Sequence, residues 1–422
     1  MPVTIDARAV GDALARLQEF EVDAQPGVSW LGWDGEGPLR IRRYDLLVYL
    51  WYELPTKYLA PLDVKCEVAE ALAVFLELVG ADEYAALCRG PEVVEMLALW
   101  EDEDPRAPRR LQELLDASGL EPPHTELLTW GPVMGMIEAD TRERATEALE
   151  LALEAGHGAL ARRIVVDVLA EPADEGTRLD AILAERLERW RARGSEPRRA
   201  IVDRVAESLR RPVVVEAGDA VEPARWLLDC CKAGIALTHT GGLTRSLVRE
   251  AVERWPHWWW SDVLGPPNGE TDVAPLHRLH DLLREMRLLR RVRTRLRTTA
   301  RGRRLRDRPD ALLAHSAEAL LAGDTFGAAV GELTAALLLS GEPADPDCLA
   351  DPIEAAIAAD GWHAGGLPPG RRDISWAVSG FLLRAEPVGI ITWRERQLTD
   401  AGRAALHHGL RARALGPARS IL

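Results

Sequence analysis

Between Arg278 and Arg308 the chain carries thirteen arginines in thirty-one residues, threaded through a pattern that allows few folds. From Ala274 to Met286 the apolar residues Leu276, Leu279, Leu282, Leu283 and Met286 recur at three-to-four spacing, which predicts a helix with one buried stripe. That stripe leaves His277, Arg278, His280, Asp281, Arg284 and Glu285 facing outward. The next run, Leu288 to Arg297, reads as a two-stranded hairpin with Arg293 to Arg295 near its tip, and a closing helix starts near Arg301. Helix then basic hairpin is the order of a winged helix, in which the helix enters a major groove and the wing meets phosphates. The expected contacts are His277, Arg278, Arg284, Arg290, Arg291, Arg293, Arg295 and Arg297.

Composition tempers the meaning of any one arginine. Arginines outnumber lysines forty-nine to three, and at that frequency about four would fall in the window, so thirteen is a local excess. The surrounding charge has the opposite sign. Residues 1 to 150 hold thirty Asp and Glu against thirteen Lys and Arg, a balance of −17, while the whole chain stands at −15. Nucleic acid would therefore have to meet a local patch rather than the surface at large.

The closing segment Thr298-Thr299-Ala300-Arg301-Gly302-Arg303 recurs as Leu398-Thr399-Asp400-Ala401-Gly402-Arg403, which suggests two copies of one module. In the second copy, Asp373 to Ala385 is the expected third helix, Gly389 to Leu398 the wing and Thr399 to Leu410 the closing helix. Its candidate contacts are Arg371, Arg372, Arg384, Arg394 and Arg396. Upstream, runs rich in Ala, Leu, Glu and Arg predict helices throughout, and Asp140 with Glu143 reads as a capping box that opens one of them. The expected fold class is mainly α, with a helical N-terminal region followed by two winged-helix-like modules with short β wings. The expected segments are an acidic helical domain at 1–139, a helical hairpin or repeat-like region at 140–220, and modules at 221–310 and 311–422.

The segment Leu237-Thr238-His239-Thr240-Gly241-Gly242-Leu243, followed by the leucine-spaced helix and the basic wing, resembles uncharacterised actinobacterial helical proteins with winged-helix-like C-terminal modules. Some of these are associated with plasmid or transposon open reading frames. The resemblance covers residues 221 to 310, and more loosely Asp45 to Trp100 and the tail after Thr392. It implies a fold and no established activity.

Other signals are weaker. Pro256-His257-Trp258-Trp259-Trp260 offers aromatic faces to a base, a ligand or a protein, although packing is the commoner use. His277 and His280 have helical ligand spacing but lack a third ligand nearby, so no metal is expected. No GxxxxGKS/T loop, GxGxxG turn, GxSxG elbow or HExxH helix occurs, and neither a catalytic residue nor a cofactor is expected. Five cysteines without a CxxC pair suit reduced thiols and a cytoplasmic protein, and no run is apolar enough for a membrane span. Two functions follow: a DNA-binding accessory or regulatory protein with duplex DNA as partner, or an interaction scaffold whose winged helices dock a protein or dimerise.

Overall fold

The computed structural model describes residues 3–20, 22–259, 265–363, 367–392 and 395–417. Helix takes 64% of the chain and strand 6%, so the class is mainly α with short antiparallel hairpins, as expected. Two compact units divide at 182/183, within the segment expected at 140–220. Among the described residues, no helix is long and apolar enough to cross a membrane.

The first unit is built on helices Ala7–Glu19, Leu62–Leu78, Pro91–Glu101 and Met136–Glu154, with a small antiparallel pair of Val3–Ile5 and Leu39–Ile41. Asp6 caps the first helix by accepting from the Arg8 amide at 2.9 Å. Leu50, Leu54, Leu72, Phe75, Leu76, Met96 and Leu97 fill its main core. Met136–Glu154 is tied to that core by a row of carboxylates on one face. Glu143 meets Arg42 at 2.5 Å and Glu147 meets Arg40 at 3.2 Å. Glu150 accepts from the Arg43 amide at 2.7 Å and from the Tyr84 hydroxyl at 3.2 Å. The capping box expected at Asp140 is not one. The helix already begins at Met136, after extended Gly135, because no breaker separates Met136 from Asp140, and the Asp140 carboxylate meets Arg178 at 2.8 Å instead.

Elements of the second unit are numbered from α1, Glu196–Leu209. The first module then runs α2 (Glu222–Cys230), β1 (Ile235–Ala236), α3 (Arg245–Arg254), α4 (Ala274–Glu285), β2 (Leu289–Val292), β3 (Arg295–Thr298) and α5 (Ala300–Arg306). Its three strands form an antiparallel sheet in the order β1-β3-β2. The second half continues with α6 (Pro309–Leu320), α7 (Phe326–Leu339), α8 (Pro346–Ala359), α9 (Arg371–Ala385), β4 (Ile391–Thr392), β5 (Gln397–Leu398) and α10 (Asp400–Leu415). One continuous apolar core links both halves, from Leu187 to Leu415. Inside it, buried Glu332 of α7 is held by Arg198 of α1, Arg413 of α10 and the Trp190 indole N–H at 2.9 Å. With its charge matched and its lone pairs used, this carboxylate escapes the penalty of an unpaired buried ion.

The repeated threonine and glycine explain both hairpins. Thr299 caps α5 by accepting from the Gly302 amide at 3.0 Å, and its hydroxyl donates to the Arg287 carbonyl at 2.9 Å. Thr399 caps α10 by accepting from the Gly402 amide at 2.8 Å and donates to the Gly389 carbonyl at 2.7 Å. The residue that turns the chain into each hairpin is left-handed: Arg287 at φ +56° and Gly389 at φ +72°. Gly302 and Gly402 have no room for a side chain, since a Cβ there would press on the Leu288 and Ile390 carbonyls. The outer strand is matched as well: the Leu237 amide donates to the Thr294 carbonyl, and the Ala344 amide to the Arg396 carbonyl, both at 2.9 Å.

Candidate nucleic-acid interface

Strand register sorts the hairpin arginines into two faces. Leu289 pairs with Thr298, Arg290 with Arg297, Arg291 with Leu296 and Val292 with Arg295. Leu289, Leu296 and Thr298 are buried, so Arg290, Arg295 and Arg297 share the opposite, solvent-facing side with Val292. Arg295 is steadied by donating to the Gly234 carbonyl through Nε at 3.2 Å and Nη2 at 2.6 Å. At the tip, Arg293 is exposed and left-handed at φ +56°.

Arg291 belongs to the other face. A Cβ on Gly241 would lie 3.1 Å from its Nη1, so the guanidinium sits over the Thr238–Gly242 loop, and its Nε donates to the Arg293 carbonyl at 2.9 Å. That loop is closed by the Thr238 amide on the Gly242 carbonyl at 2.9 Å and the Gly242 amide on the Thr238 hydroxyl at 3.0 Å.

On α4 the outward side chains include Arg284, Asp281 and half-exposed His277, while Arg278 and Glu285 turn toward α9. His280, expected outward, is only 3% exposed. Its Nδ1 lies 2.7 Å from Glu270, itself buried and accepting from the Leu243 amide at 2.6 Å. Burial raises the Glu270 carboxyl, but the His280 hydrogen bond and charge, the Leu243 amide and nearby His277 outweigh it and hold the group below the usual carboxylate range. This carboxylate pins the Thr238–Leu243 loop to the start of α4. Nothing in the periodicity marks Glu270, because its partners lie ten and twenty-seven residues away. Among the described residues, no group of three or more His, Cys, Asp or Glu could hold a metal.

The tryptophans are mostly spent on packing. Trp258 is 5% exposed and stacks on Trp255 with ring centroids 4.9 Å apart, and Trp255 meets Trp226 edge-on at 5.2 Å. Buried in the core, Trp258 has no free face to offer a base. Trp259 is half-buried and donates to the Gly265 carbonyl at 2.6 Å. Trp260 lies outside the described residues.

Charge pairing separates the two hairpin modules. Among the described residues, Arg306 is the one arginine from Arg278 to Arg308 with a carboxylate within 4.0 Å, reaching Asp229 at 2.7 Å. In the second module Arg371 pairs with Asp351, Arg384 with Glu285 and Arg396 with Asp345, while Arg372 stacks over Trp376 at 4.6 Å. Arg394 lies outside the described residues. Exposed Arg301, Arg303 and Arg304 of α5, absent from the expected contacts, enlarge the unpaired surface, and Arg303 donates to the carbonyl of Thr298 at the end of β3 at 3.2 Å. Their i, i+2, i+3 spacing just after the wing was the available signal.

A sequence match covers most of this module. Residues 223–311 match the family described as the Y4jL N-terminal domain. The match takes in 89 of the 422 residues, from α2 to the start of α6. No curated protein and no solved structure matches the chain.

Proposed function

We propose that this chain is a nucleic-acid-binding accessory or regulatory protein that holds duplex DNA on the first, winged-helix-like module. The observation that carries the reading is the set of arginines on the first hairpin and α5 that meet no carboxylate among the described residues, in a chain where acidic residues outnumber basic ones sixty-seven to fifty-two. With so much carboxylate available, an uncompensated cluster of guanidinium groups is the surface best suited to phosphate, which each group can engage through paired, charge-assisted hydrogen bonds. The element order helix, strand, helix, helix, hairpin supports the same reading, because it places a wing beside a helix as winged-helix DNA binders do. In the second module Arg371, Arg384 and Arg396 are paired among the described residues, so it offers less of such a surface, and it is tied to the first through Arg384 on Glu285.

The test is a fluorescence anisotropy titration of the full chain on a labelled duplex at about 50 and 200 mM salt. Affinity is expected to fall by orders of magnitude between the two if several phosphates are neutralised. No binding at micromolar protein in the lower salt would overturn the proposal and leave protein docking as the use of these modules.

A further inference from the structure

We infer that the DNA contact is made by the outer face of the first hairpin on the sugar–phosphate backbone, with α4 held out of the major groove, so that binding tolerates any sequence. This rests on the DNA-binding reading above and assigns its specificity. Alternate residues along one strand are about 7 Å apart. That is close to one phosphate step along a DNA strand, whose phosphates rise about 3.4 Å each along the helix axis and lie about twice as far apart through space. Arg295 and Arg297 have this spacing on β3, and Arg290 lies directly across from Arg297 on β2. The face therefore offers a short row of guanidinium groups to a row of phosphates, with Arg293 beyond it at the tip. It carries no Asn, Gln, Asp or Glu with which to read adenine or cytosine edges.

The helix that would read bases is poorly placed to do so. A helix of about 10–12 Å diameter fills a major groove about 12 Å wide. One flank of α4 is occupied by α9: Glu285 pairs with Arg384, and Arg278, Glu285, Ala377, Gly380 and Arg384 line one side of a cleft of about 460 Å³ that α6 and α7 complete. A groove wide enough for α4 has no room for α9 as well. The exposed side also bears carboxylates, Asp281 beside His277 at 3.5 Å and Asp272 just before the helix, which repel phosphate.

The experiment measures the full chain on a panel of unrelated duplexes of equal length, including AT-rich and GC-rich ones. The wild type is expected to bind all of them within about threefold. The triple variant Arg290→Ala, Arg295→Ala, Arg297→Ala should lose at least about tenfold on every duplex at constant salt. The pair His277→Ala, Arg284→Ala should stay within about twofold. Thermal unfolding checks each variant; if the triple variant unfolds, the single substitutions replace it, and each should cost several-fold. A preferred sequence bound tenfold more tightly, with the preference erased by His277→Ala and Arg284→Ala, would overturn the inference and leave the DNA reading standing. A folded triple variant with unchanged affinity would also overturn it. Failure of every duplex to bind would remove the DNA reading itself.

Discussion

Arg290 opposite Arg297 is a costly arrangement in the free protein, since like charges directly across a strand pair destabilise it. A hairpin selected only for stability would place an acid at one of the two. Arg297→Glu should therefore raise stability by about 0.2–1 kcal/mol, read as a higher unfolding midpoint, while it weakens DNA binding. A loss of both would mean that Arg297 serves the fold. Arg287 has a cost of another kind, being a Cβ-bearing residue at φ +56° where the second module uses Gly389. Arg287→Gly should stabilise by about 1 kcal/mol or less, because relief of the left-handed strain is partly offset by the entropy of glycine in the unfolded chain. An unchanged or lower midpoint in urea would contradict the strain. These side-chain facts were only partly legible beforehand. The run from Leu288 to Arg297 read as a two-stranded hairpin, but the face of each arginine depends on pairing register, where a slip of one residue exchanges the two sides. His280 was misplaced because a buried carboxylate, Glu270, satisfies it and widens the buried stripe beyond the apolar residues.

At the scale of elements, the Thr-x-x-Gly-Arg repeat is a clasp that joins each hairpin to the helix after it. Its threonine ties the cap of the helix to the left-handed turn, and its glycine lets the helix approach the carbonyl of Leu288 or Ile390. Gly302→Ala and Gly402→Ala should each cost about 1–3 kcal/mol, the range for forcing an added methyl into a packed site. Urea unfolding measures this, and a neutral result at either glycine would break the equivalence of the two clasps. The repeat was visible in the sequence because both copies obey the same local geometry. The fate of the second module's arginines was not, since their acids come from elsewhere in the fold: Asp351 for Arg371, Glu285 for Arg384 and Asp345 for Arg396. Glu386, just past α9, gives the same region a pH dependence. Burial pushes its carboxyl up to about 7. The folded state then binds more protons than the unfolded one, so this stability is complete below the unfolded value near 4.5 and is lost as pH rises through about 7. Glu386→Gln should raise the unfolding midpoint at pH 8 and flatten the decline between those values, and an unchanged profile would contradict the buried assignment.

For the molecule as a whole, charge is divided by purpose. In the first unit, arginines such as Arg40, Arg42 and Arg178 meet carboxylates, and the surplus there remains acidic. In the second, the arginines of the first hairpin and, Arg306 apart, of α5 meet no carboxylate among the described residues, while Arg371, Arg384 and Arg396 of the other module are paired within the chain. A chain of net charge −15 repels DNA at a distance, so any binding has to be short-ranged, local and strongly dependent on salt. The fold class and the repeated hairpin were legible because they follow from periodicity and a repeated local clasp. Which of two similar hairpins keeps its charge free was not, because it is decided by ion pairs between residues far apart in sequence. The most direct measurement is the slope of log affinity against log salt for the wild type and for Arg290→Ala, Arg295→Ala, Arg297→Ala on one duplex. Three lost phosphate contacts should make the slope shallower by about three, at about 0.9 per contact. Parallel lines for the two proteins would contradict the assignment of this face.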